Sequence, residues 1–437
     1  MTSARRDGLY LLLLGSLTFI LLGGALQLGS PVSMVDFRVV YYPARCLIHH
    51  HDPYLEEEVL RQTQAEGGNR SSDTAATRQI VTRYEYPPSA FAFTVPFALL
   101  PWGPAHLLWM ALTVGTLLLA AFLIWNLGAN YAPLLSGFLV GFLLANSETL
   151  FVLCNSAGIA VSLCVVAVWC FIRERFIPVG ILCLAISLAV KPQDAGLVWL
   201  YFLLAGGVYR KRALQSLFAT IALSLPAVLW VWRVAPHWIQ EMHSNILAFS
   251  VHGGLTDPGP ASTGAHGLGM MVNLQTAISY LKDDPHIYNP VSYLIFAPLL
   301  LLWAFVTLRC PASPRRAWLA LASISALSML PVYHHLYDAK LLLLSVPACA
   351  MLWAGGGWTR WLALLLNTAG FVLTADLPWF IVLGIISHLH LPATELTNKI
   401  LFGVQALPVP LVLLAMGIFY LWGYAQHSSD PVAPQPQ

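Results

Sequence analysis

Hydrophobic runs of membrane-crossing length recur about a dozen times in this chain, and its polar chemistry is confined to the stretches between them. Few folds accept such a pattern. A hydrocarbon slab about 30 Å thick needs about 20 apolar residues per helical crossing, and every backbone N–H and C=O inside it must be paired within the protein. The runs lack the alternation of a membrane barrel, so they predict an all-α polytopic transmembrane bundle. Composition agrees: among 437 residues, 58% are hydrophobic and 10% charged, and the mean hydropathy of +0.69 excludes a soluble globular chain.

The first run, Leu9 to Leu28, follows Arg5 and Arg6. It is long for a signal peptide and no small-x-small site follows it, so it reads as a retained anchor. A polar segment from Ser30 to Pro88 comes next. The apolar stretch after it breaks at Pro101-Trp102-Gly103-Pro104, which predicts a short interfacial helix before a crossing over 105–127. Further crossings are expected near 133–145, 158–172, 178–190, 196–208 and 214–232. After a second polar segment, Ala235 to Asn289, others are expected near 291–308, 318–329, 341–354, 361–374 and 400–424. The total is about ten to thirteen, several of them short and therefore tilted or interrupted. Residues 1–427 read as one membrane domain with outer loops at 30–88 and 235–289, and the Pro-rich 428–437 reads as an unstructured cytoplasmic tail.

Charge orients the bundle. Arg5-Arg6, Arg173 with Arg175, Arg210-Lys211-Arg212, Arg309 with Arg315-Arg316, and Arg360 fall in connections on one side, which the positive-inside rule makes cytoplasmic along with both termini. Asp36, Asp52, Glu85, Glu148, Asp194, Glu241, Asp338 and Asp376 then face outside, leaving Asp7, Glu174, Asp430 and His427 inside. Acid–base chemistry is thus gathered at one lipid–water face. The expectation is an integral membrane enzyme, multi-pass in a bacterial plasma membrane, with an extracytoplasmic active site. A net charge of +2 without a basic, aromatic-interleaved stripe gives nucleic acid no role. Gly355-Gly356-Gly357 has neither a strand before it nor Lys-Ser/Thr after it, so no nucleotide loop is expected. An outward-facing enzyme with no nucleotide site needs an activated substrate that has already crossed, and lipid-linked donors meet that need. The seven cysteines show no metal spacing, and no disulfide is expected.

Three polar stretches carry candidate chemistry. The first begins Asp36-Phe37-Arg38-Val39-Val40-Tyr41-Tyr42. As a helix over 36–48 it puts Asp36, Val40 and Pro43 on one face and Arg38, Tyr42 and Arg45 on another, so its own neighbours do not neutralise the carboxylate. Two readings stand for Asp36: a free base, or an N-cap. The second, Lys191-Pro192, ends an uncharged run; the lysine either snorkels to headgroups or holds an anion, and the proline favours a helix break lining a cavity. The third, Tyr333-His334-His335-Leu336-Tyr337-Asp338-Ala339-Lys340, reads as a polar turn, a ligand contact or a metal site. Adjacent histidines point apart on a helix, which disfavours joint ligation. His49-His50-His51 reads as a solvated turn ahead of a metal tract, and 66–77 as a mobile loop crest. Residues 252–269 lack periodicity and are either a flap that closes over substrate or a plain connection.

Asp36-Phe37, Tyr41-Tyr42-x-Ala44, Asp52-Pro53-Tyr54, Tyr86-Pro87-Pro88 leading to Leu100-Pro101, Lys191-Pro192 and Tyr337-Asp338 occur in that order. The set resembles the membrane glycosyltransferases of the GT-C type, specifically glycosyltransferase family 87, the polyprenol-phosphate-mannose-dependent α-mannosyltransferases. Two positions depart from the family pattern: His50 stands where a Gly commonly precedes Asp-Pro-Tyr, and Cys154-Asn155 where the family has Gly-Gln. The resemblance implies transfer of a sugar, mannose, with inversion, from a polyprenyl-monophosphate donor to a hydroxyl of a lipid or glycan acceptor among membrane lipids. No cofactor or metal ion is implied, because cationic side chains can match a single phosphate. Asp36 would be the general base. Lys191, one of His334 and His335, Arg38 and Lys340 would offset the charge of the leaving phosphate, with Arg45 a further substrate contact. Tyr86, Tyr337 and Asp338 would bind sugar hydroxyls or position those cations. Two rival classes remain. A secondary transporter would place its ionisable groups near the midplane. A lipid-linked oligosaccharide polymerase or ligase needs a pyrophosphate site, for which Arg38 and Arg45 are few.

Overall fold

The computed structural model describes residues 2–68, 73–262, 271–309, 313–389 and 394–426. His427, the tail from 428, residues 69–72 of the expected loop crest and 263–269 of the expected flap lie outside the described residues. The helices in chain order are α1 (Ser3–Gly29), α2 (Val35–Ile48), α3 (Glu56–Ala65), α4 (Ala75–Thr82), α5 (Phe91–Ala98), α6 (Trp102–Gly128) and α7 (Pro133–Leu144). There follow α8 (Glu148–Leu153), α9 (Ser156–Arg173), α10 (Ile177–Val190), α11 (Pro192–Leu204), α12 (Gly207–Val234), α13 (Trp238–Ser250) and α14 (Leu274–Ser279). The last are α15 (Pro285–Arg309), α16 (Pro314–Leu327), α17 (Val346–Gly355), α18 (Thr359–Leu373), α19 (Asp376–His388), α20 (Glu395–Ala406) and α21 (Pro408–Gln426), with 3₁₀ turns at Pro88–Ala90 and Asp338–Ser345.

This is the expected all-α polytopic bundle. Among the described residues 7 helices are long and apolar enough to cross a membrane, or 8 if α18 and α19, bent by 57° at their junction, form one interrupted crossing. Shorter apolar helices, α7 and α10 among them, complete the bundle, which is why fewer long helices appear than the crossings read from hydropathy. Proline sets several of these breaks. It stands in the first turn of α7, α10, α11, α16 and α17, where its missing N–H is not needed and its ring cannot continue a preceding helix.

α1 is bound into the bundle through a seam of glycines. A Cβ at Gly8 would lie 2.3 Å from the Pro133 carbonyl oxygen, and one at Gly15 would lie 2.1 Å from that of Gly141. The Gly137-x-x-x-Gly141 stretch of α7 thus lets two backbones touch, the contact by which helices gain packing energy in lipid. Farther along, Gly23 meets Phe151 of α8, so α1 runs parallel to α7 and α8.

The two ends of the bundle differ in charge. At one, Arg5 Nη2 donates to Asn126 Oδ1 (2.5 Å), and Arg212 donates to Phe171 O (2.6 Å) and pairs with Glu174 (3.2 Å). The turns carrying Arg173, Arg175, Arg210 and Lys211 belong to the same end by chain continuity. The other end gathers the polar connections. Met34 N donates to Val152 O (2.7 Å), Asp376 Oδ2 accepts from Thr149 N (2.7 Å), and Lys191 Nζ reaches Asp338 Oδ1 (2.7 Å).

α2 lies across this polar end. Its apolar face packs on the start of α6, where Phe37 stacks on Trp109 (4.9 Å) and Trp102 (5.4 Å), and Tyr42 stacks on Trp102 with ring planes 3° apart. Its N-cap is Met34, with no side-chain cap, so Asp36 does not serve as one. Backbone geometry also accounts for the two departures from the family pattern. His50 has φ 60° and Cys154 φ 53°, the left-handed region that glycine enters without cost. Both positions carry a side chain where glycine is the easier fit.

Candidate active site

The turn between α8 and α9 aims the first group. Cys154 takes the left-handed conformation, its carbonyl accepts from Trp109 Nε1 (2.9 Å), and Asn155 emerges as the N-cap of α9. Asn155 Oδ1 accepts from Ala157 N (2.8 Å), which leaves its Nδ2 to donate to Asp36 Oδ2 (2.8 Å). The other Asp36 oxygen accepts no hydrogen bond among the described residues. Asp36 is half-buried and its pKa is pushed up from 3.8 to about 6: burial raises it, the Asn155 bond and the Lys191 charge pull it back, and Asp338 adds a further rise.

Lys191 occupies the break between α10 and α11, in a non-helical conformation (φ -143°, ψ 79°) consistent with the proline at the next position, which disfavours the helical region for the residue before it. The ammonium lies 2.7 Å from Asp338 Oδ1, 3.8 Å from Asp194 Oδ2 and 5.4 Å from the centre of the Tyr337 ring. Asp338 Oδ2 accepts from His335 N (2.7 Å), and His334 Nε2 lies 3.1 Å from Asp194 Oδ1. A chain of alternating charge therefore runs Asp338, Lys191, Asp194, His334. Lysine and its two aspartates are each at least nine-tenths buried, and their mutual pairing offsets the cost of burying charge there. Burial opposes a proton on His334, but the hydrogen bond and charge of Asp194 outweigh it and hold the imidazole above its ordinary 6.5.

The histidine pair divides its work. His334 is locked between Asp194 and the Val332 carbonyl (3.1 Å from Nδ1). The His335 ring sits between Tyr333 (4.6 Å) and Tyr337 (4.9 Å) and meets the Tyr333 hydroxyl. Tyr333 is half-buried; burial first, then the charges of Glu85, Asp338 and Asp36, hold its phenol well above 10, so it remains a hydrogen-bond donor.

The Asp-Pro-Tyr and Tyr-Pro-Pro motifs are bolted together. Asp52 Oδ1 accepts from Tyr54 N (2.9 Å), Tyr54 OH donates to Tyr86 O (2.9 Å), and Asn245 Nδ2 of α13 donates to both Tyr54 O and Tyr84 O (3.0 Å each). This frame presents Glu85 and Tyr86 to the site, and Ser156 Oγ donates to the Tyr86 hydroxyl (3.1 Å). Glu85 is half-buried and pushed up from 4.5 to about 7 by burial, an effect that Lys191 reduces and Asp36 enlarges.

The structure thus brings Asp36, Tyr86, Lys191, His334, His335, Tyr337 and Asp338 to one place. It does not bring Arg38, Arg45 or Lys340 there. Arg38 makes a two-pronged bond to Asp73 (2.9 and 2.6 Å) and a third to Gly68 O, and Arg45 bonds Glu66 (2.6 Å) and Ala98 O; both tie down the connection between α3 and α4. Lys340 donates to Asn146 O (3.0 Å) and Thr374 O (3.3 Å), at the ends of two other helices. Glu85, Asn155, Asp194 and Tyr333 join the cluster although the sequence assigned them no role. The signals were adjacency to motif residues for Glu85 and Tyr333, three-residue spacing from Lys191 for Asp194, and the Gly-Gln position for Asn155.

A model of glycosyltransferase family 87 matches residues 84–333, more than half of the chain. That stretch contains Glu85, Tyr86, Asn155, Lys191, Asp194 and Tyr333, whereas Asp36 precedes it and His334 to Asp338 follow it. Comparison with curated proteins and with solved structures found no match. The helical bundle is consistent with the GT-C type, and the chain belongs to glycosyltransferase family 87, a membrane glycosyltransferase.

Proposed function

We propose that the protein transfers a sugar, mannose by the family resemblance, with inversion from a polyprenyl-monophosphate donor to a hydroxyl of a lipid-linked or glycan acceptor. The observation that carries this reading is Asp36: a half-buried carboxylate with one oxygen held by Asn155, the other open, and a pKa brought near neutrality. In this scheme the open oxygen takes the proton of the acceptor hydroxyl as that oxygen attacks the anomeric carbon from the face opposite the leaving group. The bond from the anomeric carbon to the phosphate oxygen breaks, and the lipid phosphate departs with the electron pair. Its growing charge is met by Lys191, whose ammonium retains donor capacity beyond its bond to Asp338, and by donors of the Tyr333–His335 pair. The basic turns gather at the end of the bundle away from this cluster, which supports a topology with the site extracytoplasmic and the termini cytoplasmic.

The test is turnover of radiolabelled polyprenyl-phosphate mannose by the full-length protein in nanodiscs, with labelled products separated from donor. Label passing to an acceptor in wild type and not in Asp36→Asn supports the scheme. Undiminished transfer by Asp36→Asn removes Asp36 as base.

A further inference from the structure

Glu85 sits half-buried on the turn between Tyr84 and Tyr86, beside the site, and accepts no hydrogen bond among the described residues. Its carboxyl is in the field of Lys191, at the phosphate end, and of Asp36, at the acceptor end, and it also acts on the Tyr333 phenol. Among the described residues no hydrogen bond or ion pair holds it, although Tyr84 and Tyr86 on either side are fixed through their backbone carbonyls. A half-buried carboxyl on a rigid turn, with all its acceptor positions unused, is a poor structural element and a good receptor for donor groups of a ligand.

We infer that Glu85 contacts substrate, accepting hydrogen bonds from hydroxyl groups of the donor sugar. This rests on the donor reading given above. A sugar in transit must lie between the phosphate it leaves and the base that activates its acceptor, and Glu85 precedes Tyr86, whose hydroxyl meets Ser156 next to the Asn155 that holds Asp36. Hydroxyls are the groups a sugar offers, and a carboxylate binds them more strongly than a neutral acceptor does. When ionised, which its raised pKa of about 7 makes the majority form only above neutral pH, the group has a second use. Positive charge builds at the anomeric carbon as the phosphate bond stretches, so an anion on this side of the ring favours the transition state over the ground state. The contact also fixes which ring orientation presents its anomeric carbon to the hydroxyl at Asp36, which makes Glu85 a determinant of sugar specificity.

The experiment uses the full-length protein in nanodiscs with radiolabelled short-chain polyprenyl-phosphate mannose and its monodeoxy analogues, one for each ring hydroxyl. Glu85→Gln should lower kcat/KM on the parent donor by about 10- to 100-fold, the value of one hydrogen bond to a charged group. On one deoxy donor the variant and wild type should then be nearly equal, because the hydroxyl that Glu85 meets is already missing. The other deoxy donors should keep the full difference. Ratios between donors are taken within each variant, so any loss of folded protein cancels. Purely additive losses for every deoxy donor, or an unchanged kcat/KM on the parent donor, overturn the inference. Turnover of no polyprenyl-phosphate sugar by wild type would sink the donor reading and Glu85 with it, whereas wild-type turnover with additive losses sinks Glu85 alone.

Discussion

Asn155 donates from Nδ2 to Asp36 while its Oδ1 accepts from the first turn of α9. The amide cannot be turned round without setting N–H against N–H, so Asp36 always meets a donor. A donor favours the ionised carboxylate. Asn155→Ala should therefore raise the pKa of Asp36 and move the acidic limb of the kcat/KM profile to higher pH, with about 1 kcal/mol of stability lost with the cap. A limb that stays in place would show that this bond does not tune the base.

Asp36 acts as a base only when ionised, and burial has lifted its pKa to about 6. Activity should be full above that value and fall about tenfold per pH unit below it. Asp36→Asn should lower turnover by about 100- to 10,000-fold. Its stability should not suffer: with the folded value above 3.8, the ionised form is disfavoured by folding at neutral pH, and stability from this group grows as pH falls through 6. The amide removes that penalty, so the melting temperature at pH 7 should hold or rise.

Lys191 is needed by its neighbours as well as by any phosphate. Lys191→Ala leaves Asp338 and Asp194 buried with less compensation, and should cost about 3–5 kcal/mol on thermal or denaturant unfolding. Pairing it with Asp338→Asn should recover most of that stability and none of the donor affinity. Donor affinity restored by the double variant would mean that Lys191 does not touch the phosphate.

His50 is exposed and left-handed at φ 60°. Glycine enters that region freely, whereas a residue with a Cβ is strained there by about 1–2 kcal/mol. His50→Gly should raise the melting temperature by a few degrees, less whatever the 6.4 Å ring contact with Trp230 contributes, and leave transfer activity intact.

The bundle was legible because lipid permits so little else: each apolar run must close its own hydrogen bonds. The order Asp36, Tyr86, Lys191, Tyr337-Asp338 was legible through motif resemblance. The fate of Arg38, Arg45 and Lys340 was not, since an arginine in the first turn of α2 looks equally available to a phosphate and to Asp73, and only tertiary folding chooses between them. Asp194 and Tyr333 carried no periodic signal; they matter because a helix break and a turn far apart in sequence meet at Lys191 and His335. The short helices blurred the crossing count because hydropathy reads 178–190 and 196–208 as crossings, whereas α10 (14 residues) and α11 (13 residues), on either side of the break at Lys191-Pro192, are each shorter than a full crossing needs.

Lys340 has a mechanical consequence. Its ammonium grips the carbonyls of Asn146 and Thr374, and Asp376 in turn grips the Thr149 N–H. The kinked α18–α19 pair is thereby hitched to the short segment that ends in Asn155. A strain applied to that kinked pair, by a thinner bilayer or a bulky neighbour, is delivered through this hitch to the side chain steering the reactive carboxylate.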